Sequence, residues 1–456
     1  MEKVKESLFG DFRFAELDTH TSIQLLTGRT KEEYRWSAMD SATLRSLDRI
    51  SVLPDSILCH ILSFLPMEYA VRTSILSTRY QYLWTYITSL RLSNSEFLTD
   101  DIGEDEANLS FTNFVSTVLL LSNVSCLEKF RLQLESFQNV DIVKSWISTA
   151  IKRNVQKLYL QHLEGNNGEL PIELPRSMFI SKTLVKLTLG GLIFLEIPTS
   201  VWLPSLKILK MVDLIYENGD SAQKLLPGCP VLEYLYVHRG LYRKSTEVFN
   251  ISVPTLKHLV VIDPDLTCDL PEGFSLENLS SLLEAHFEID LPIHLTNILT
   301  LLRGIANVKC LQFHAKVGDY VLPTFPTLRN LTHLRLLSGV NIGNSGFNLN
   351  LLNEFLECSP NLEVLVLEGK RCSSTKSWGP PLRVPHCLLF RLKEVEFRPS
   401  LGRKALEFEL DFEVIKYLLK SAEVLKKMTI RSQLLDSRQI AQFPTASKAC
   451  IISFKV

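Results

Sequence analysis

The chain is 456 residues long and 46% apolar, with 49 Lys and Arg against 50 Asp and Glu, so its formal net charge is −1. That length suits two to four domains, or one domain with a repeat array, and the apolar fraction excludes an intrinsically disordered chain. Near-neutral charge speaks against a chain-wide polyanion-binding role, because nucleic-acid binders carry a basic excess or stripe.

Residues 1–47 have mixed charge, no sustained periodicity and no motif, and read as an N-terminal extension. The opening MEKVKESLFGDFRF carries charges throughout and lacks an apolar h-region, so no signal peptide is evident. The longest apolar run, around Val118 to Leu121, is far too short to span a bilayer. The 9 cysteines are scattered, odd in number and without a C-x-x-C pair, which suits a reducing compartment. The expectation is a soluble protein of the cytoplasm, the nucleus or both, with no membrane and no nucleic-acid partner.

Residues 48–94 hold three short helical runs with more apolar surface than a segment of that size can bury in itself. Pro54 suits the first helical position, and Asp55 places a negative charge in the first turn. Ile57, Leu58, Ile61, Leu62 and Leu65 form a broad apolar stripe that Pro66 ends. A second run, Glu68 to Leu76, carries Ala70, Val71, Ile75 and Leu76; a third, Thr78 to Ile87, carries Tyr80, Leu83 and Trp84. The surplus apolar surface is covered either by the rest of the chain or by a partner.

This stretch resembles an F-box, the helical module that docks onto the Skp adaptor of SCF-type ubiquitin ligases. Asp48-Arg49-Ile50-Ser51, the pairs Leu53-Pro54 and Leu65-Pro66, Ser74-Ile75-Leu76-Ser77 and Leu83-Trp84 carry the resemblance. It implies an adaptor held through Leu53, Pro54, Ile57, Leu58, Ile61, Leu62, Leu65, Pro66, Val71, Leu83 and Trp84. The chain departs from the family at Thr78-Arg79-Tyr80, where a basic-basic-Trp triplet is usual. Tyr80 keeps an aromatic plug but adds a hydroxyl, which implies weaker adaptor affinity than typical.

Residues 95–124 read as an acidic, solvated loop (Asp100 to Glu106) followed by a connecting helix over Leu109 to Leu121. From residue 125 to 390 a pattern apolar-x-x-apolar-x-apolar recurs. It runs Leu127-Phe130-Leu132, Val155-Leu158-Leu160, Leu184-Leu187-Leu189, Leu206-Leu209-Met211, Leu232-Leu235-Val237 and Leu256-Leu259-Val261. It continues Leu282-Ala285-Phe287, Val308-Leu311-Phe313, Leu331-Leu334-Leu336 and Leu362-Leu365-Leu367, then Leu392-Val395-Phe397 and Leu425-Met428-Ile430 beyond residue 390. That is about twelve copies, roughly 22 to 33 residues apart, the period of leucine-rich repeats.

Two apolar residues one position apart share a strand face, and the third anchors the turn before them. Helical stripes lie between copies at Ile142/Trp146/Ile147/Ala150/Ile151, Ile298/Leu301/Leu302/Ile305 and Leu352/Phe355/Leu356. The expected α/β fold is therefore a leucine-rich-repeat solenoid, a horseshoe with a concave parallel β-sheet and a helix in each repeat, behind a small three-helix F-box domain. The uneven spacing and the scarcity of the consensus Asn lead us to expect one or two misregistered copies.

Residues 391–456 form a C-terminal part that continues and caps the solenoid. Cys358 to Leu365, Leu392 to Phe397, Val414 to Lys420 and Ala422 to Ile430 are similar in order and content to the FBD domain of plant F-box proteins. Phe412 to Leu425 reads as an amphipathic helix feeding the last strand. With the F-box and the repeats, the combination resembles the plant F-box/FBD/leucine-rich-repeat family.

The resemblance implies a substrate-recognition subunit of an SCF-type E3 ubiquitin ligase. The F-box would bind the Skp-type adaptor, and through it cullin, while the repeats bind an unidentified target protein. No catalytic residues, cofactor or metal are expected. His386-Cys387 lacks a second ligand pair, and Ser373-x-x-Lys376 is a chance match in a polar loop. Gly190-Gly191 and Gly343 to Gly346 are loop turns, and Arg239/Arg243/Lys244 and Lys426-Lys427 are solvated faces. The sequons at Asn108, Asn123, Asn250, Asn278 and Asn330 are accidents of repeat turns. Alternatives are a small-molecule, hormone-like receptor or a scaffold outside ubiquitin transfer. Arg131, Tyr159, Thr188, Lys210, Tyr236, Val260, His286, Gln312, Arg335 and Val366, the x residues within the repeats, show no concentrated basic pocket for an anionic ligand.

Overall fold

Pro54 and Pro66 each stand one residue ahead of a helix, with φ −59° and −54° and ψ 150° and 148°. An extended proline there blocks the chain from propagating a helix backwards and has no N–H to leave unpaired. Pro54 thus lies one position earlier than the sequence reading placed it, and Asp55 opens the helix. The computed structural model describes residues 50–98, 103–163, 170–216, 224–239, 249–263, 274–289, 295–315, 324–337, 349–368, 378–398, 412–431, 440 and 442–455. The chain divides into two units, Met1–Glu169 and Leu170–Val456.

In the first unit, helices α1 (Asp55–Leu62) and α2 (Met67–Arg72) are followed by 3-10 turns at Thr73–Ile75 and Tyr80–Tyr86. The second and third expected helices are thus partly or wholly 3-10. The 3-10 segment leads into strand β1 (Ser89–Ser93), which pairs in parallel with β2 (Lys129–Glu135), and β2 pairs with β3 (Lys157–Leu163). Strand β1 is a repeat copy the sequence reading missed, Ile87-Leu90-Leu92, with all three side chains buried.

Helix α3 (Glu104–Leu121) starts five residues before the expected Leu109. Glu104, Asp105 and Glu106 form its first turn, where their charge favours the positive end of the helix dipole. That part of the presumed acidic loop is helical. Helix α4 (Val140–Lys152) lays Val143, Trp146, Ile147 and Ala150 into the core, beside an aromatic cluster of Phe97, Phe111, Phe114 and Phe137. Asn94 ties these layers together. Its side-chain amide donates to the Glu135 carbonyl at 2.6 Å, and its oxygen accepts from the Glu135 N–H at 2.8 Å.

The second unit is a parallel sheet of strands Lys186–Gly191, Ile208–Val212, Tyr234–His238, His258–Asp263, Glu284–Ile289, Cys310–Ala315, His333–Leu337, Val364–Glu368, Glu394–Arg398, Lys427–Arg431 and Ile451–Lys455. All twelve sequence-identified copies, ten of them here, supply a strand, and no residue of the pattern is more than 3% exposed. Register is kept from copy to copy, as in Leu187↔Leu209, Ala285↔Leu311 and Val395↔Met428. The expected misregistered copies are not found among the described residues. A one-residue slip would turn every core side chain outward, so burial itself enforces the register.

Helices Leu295–Gly304, Leu349–Cys358 and Phe412–Ser421 return the chain where the stripes predicted them. A helix in every repeat is not what the protein has. The returns at Ile172–Glu173, Ile193–Leu195 and Ile215–Tyr216 are short strands forming a second parallel sheet, and Phe249–Ser252 pairs likewise with Phe274–Glu277. Spacing alone does not decide the return, since the interval from Leu256 to Leu282 returns by a strand and the equally long one from Leu282 to Val308 by helix Leu295–Gly304.

Candidate docking surface

The apolar residues of the F-box-like segment divide sharply between inside and outside. Leu58, Leu62, Val71, Leu83 and Trp84 are at most 5% exposed and form the segment's own core. The Cys59 thiol, half-buried beside them, donates to the Leu83 carbonyl at 3.4 Å. These five side chains are packed inside the chain and hold the module in shape. Ile57 and Ile61, each 44% exposed, form a solvent-facing stripe on α1 beside the buried Leu58/Leu62 stripe, and Leu65, just past the helix, is exposed too; Pro54 is exposed, and Leu53 and Pro66 are half-buried.

Further apolar side chains are open to solvent: Ile50, Ile75 and Leu76, which the sequence reading named but did not place in the docking set, and Val52 (80% exposed), Phe64 and Tyr82, which it did not name. Phe64 was within reach of that reading, since Ile57, Ile61 and Phe64 follow i, i+4, i+7 and mark a stripe separate from Leu58/Leu62. So many exposed large apolar residues within one short module are uncommon on a surface with no partner.

Arg79, in the segment that departs from the F-box pattern, fixes one edge of this surface. Its guanidinium donates to the Asp55 carboxylate at 2.7 and 2.8 Å and to the Ser51 and Leu53 carbonyls. The loop carrying Leu53 and Pro54 is thereby pinned to the start of α1. Tyr80 is half-buried.

Beneath the surface lies a buried carboxylate. Glu68, 5% exposed, has its pKa pushed from 4.5 to about 7, chiefly by burial and further by Glu96, against backbone N–H donors of Glu68 and Ser93 and the Arg72 charge. The folded chain thus holds this proton over a range where the unfolded chain has released it. Stability contributed here is full below pH 4.5, declines between 4.5 and 7, and above 7 reaches a penalty of roughly 3 kcal/mol. Glu68→Gln is expected to remove that decline and to stabilise the protein by about 1–3 kcal/mol at pH 8. Urea denaturation of both proteins at pH 5 and pH 8 checks it; parallel pH dependences would refute it.

Among the described residues, no three His, Cys, Asp or Glu side chains are grouped to hold a metal ion. His386 Nδ1 donates to the Pro360 carbonyl at 3.3 Å, while the Cys387 thiol donates to the Leu356 carbonyl at 3.3 Å and is pushed up to about 12 by burial. No described helix is long and apolar enough to cross a membrane. Ser373, Lys376, Arg243 and Lys244 lie outside the described residues, as do Gly343 to Gly346. Gly190 and Gly191, read as a loop turn, instead close strand Lys186–Gly191, with Gly191 at φ 82°. Arg239, read as solvated, is instead 6% exposed and faces Asp263 at 3.5 Å.

Comparison with known proteins bears on the same segments. A model of the F-box domain matches residues 50–91, one described as "FBD-associated F-box protein At5g56370, LRR repeats" matches 143–272, and an FBD model matches 380–430. The chain is 32% identical to the FBD-associated F-box protein At4g10400 of Arabidopsis thaliana over 409 residues, 85% of this chain and 93% of that protein. It is 31% identical to the F-box/FBD/LRR-repeat protein At4g26340 of the same plant over 444 residues, covering 90% of this chain and 100% of the relative.

Proposed function

The chain belongs to the F-box/FBD/LRR-repeat protein family, a group of F-box substrate adaptors, and from that membership we propose that it is the substrate-recognition subunit of an SCF-type E3 ubiquitin ligase. One observation carries the reading: the module's core is already filled by Leu58, Leu62, Leu83 and Trp84, yet among the described residues Ile57, Ile61 and Leu65 stay exposed. A surface of that kind suits a Skp-type adaptor, which would link the chain to cullin. The repeats would hold the target protein.

On this reading the chain performs no bond chemistry of its own. Holding adaptor and target together makes transfer of ubiquitin to a target lysine effectively intramolecular, so the rate gain comes from local concentration and orientation. Its place is the cytoplasm, the nucleus or both.

The test is co-purification of the chain with a Skp-type adaptor and cullin, beside the variant Leu53→Ala/Pro54→Ala. Loss of adaptor from a variant whose circular dichroism is unchanged is expected, since buried apolar anchors cost about 2 kcal/mol or more each on truncation. Full adaptor capture by that folded variant would defeat the reading. Adaptor without cullin would point to a scaffold outside ubiquitin transfer.

A further inference from the structure

The outward face of the second unit's sheet is chemically uneven. Alternation in the strands buries Leu209, Met211, Leu235, Val237, Leu259 and Val261 and turns their neighbours out. In register, Lys210 stands beside Tyr236 and Tyr236 beside Val260; Val212 stands beside His238 and His238 beside Ile262. These outward residues are half-buried, so strands Ile208–Val212, Tyr234–His238 and His258–Asp263 present a close-set aromatic and aliphatic surface.

Most charges on this face are already answered. His238 Nδ1 meets Asp213 at 2.6 Å, and His258 Nδ1 meets Glu284 at 3.0 Å. Arg335 pairs with Glu368, and Glu396 accepts from Arg398 and Arg431, whose hydrogen bonds hold its carboxyl down to about 2. Lys210 differs. Among the described residues it stands without a carboxylate partner, its Nζ 5.3 Å and 5.5 Å from the ring centroids of Tyr234 and Tyr236. Aromatic faces stabilise a cation by about 0.5–2 kcal/mol but do not neutralise it. Half-buried tyrosines around an unneutralised cation match the anchors of binding hot spots, being rigid and inexpensive to order.

We propose that this patch is where the target docks, and that it takes an extended protein segment with a carboxylate side chain over Lys210 and an apolar or aromatic side chain over Tyr236 and Val260. The proposal rests on the reading of the repeats as target-binding. Strand spacing sets the motif: from Lys210 to Val260 is two strand intervals, about 10 Å, which an extended segment covers in about three residues. The acid and the apolar residue of the target are therefore about three positions apart.

The full chain co-purified with its adaptor is screened against displayed random peptides, with the adaptor alone as the subtraction. Enrichment of Asp or Glu about three positions from an apolar or aromatic residue is expected. Lys210→Glu and Tyr236→Ala should each weaken those peptides by about tenfold or more. Tyr236→Phe should retain binding, and Lys210→Glu should regain it for peptides whose acid is changed to Lys. Enriched peptides without an acid, acidic peptides indifferent to Lys210→Glu, or no enrichment at all would overturn the proposal. Peptides released by Arg335→Glu but not by Lys210→Glu would also overturn the patch while leaving target recruitment by the repeats intact. Failure of the ligase reading itself is registered separately, by cullin co-purification.

Discussion

Ile57→Asp/Ile61→Asp is expected to abolish adaptor capture while leaving the unfolding midpoint of the chain nearly unchanged. Both side chains project from one face of α1 into solvent, so within the free chain the substitutions disturb little beyond the ~0.5 kcal/mol usual for surface positions. Against a partner the effect is large. Two apolar anchors at about 2 kcal/mol each amount to roughly a thousandfold in affinity, and two carboxylates forced into a dry contact add a desolvation cost. Leu58→Ala and Leu62→Ala, one position along the same helix, should behave the other way. Each removes a side chain at most 4% exposed and costs the chain about 2–5 kcal/mol. Isothermal titration with the adaptor, beside thermal melts of the same proteins, separates the two classes. Unaltered adaptor affinity in the double Asp variant would rule out this face as the contact.

That contrast marks where the sequence was readable and where it was not. The repeat strands were legible because a buried strand face demands apolar residues at alternate positions, and a repeat shows the demand many times over. Ile87-Leu90-Leu92 escaped because Ile87 also completes the apolar run Tyr80/Leu83/Trp84, and a single residue can serve two patterns. The last strand, Ile451–Lys455, escaped for a different reason. Its register puts Ile452 beside Met428 and Phe454 beside Ile430, but the position that would anchor the turn is Ala449, small and exposed. In α1 the pairs Ile57/Ile61 and Leu58/Leu62 are equally apolar. Periodicity reports that both are hydrophobic, and only packing decides which pair the chain keeps for itself. Contacts between neighbouring repeats are hidden in the same way. Arg239 sits among other basic residues in the sequence and looks solvated, yet its carboxylate partner arrives one strand later.

That pair carries the largest expected stability effect outside the apolar core. Arg239 and Asp263 follow and end adjacent strands, with side chains 6% and 2% exposed and Nη1 3.5 Å from Oδ2, and the Arg239 N–H donates to the Ile262 carbonyl at 2.9 Å. Two buried opposite charges contribute little net stability, because desolvation offsets most of their attraction. Removing one of them is another matter, since the guanidinium stays ionised at any practical pH and has lost its carboxylate in a place water hardly reaches. Asp263→Ala is therefore expected to destabilise the chain by ~3–5 kcal/mol, and Asp263→Asn, which keeps the shape but not the charge, by most of that. Arg239→Met/Asp263→Leu should recover much of the loss, because apolar replacement of a whole buried pair is often neutral. Urea denaturation of the three variants gives the comparison. A double variant no more stable than Asp263→Ala would show that shape, not charge, sets the cost at this position. A loss below about 1 kcal/mol in Asp263→Ala would mean that solvent or the remaining partners of Arg239 stand in for the carboxylate.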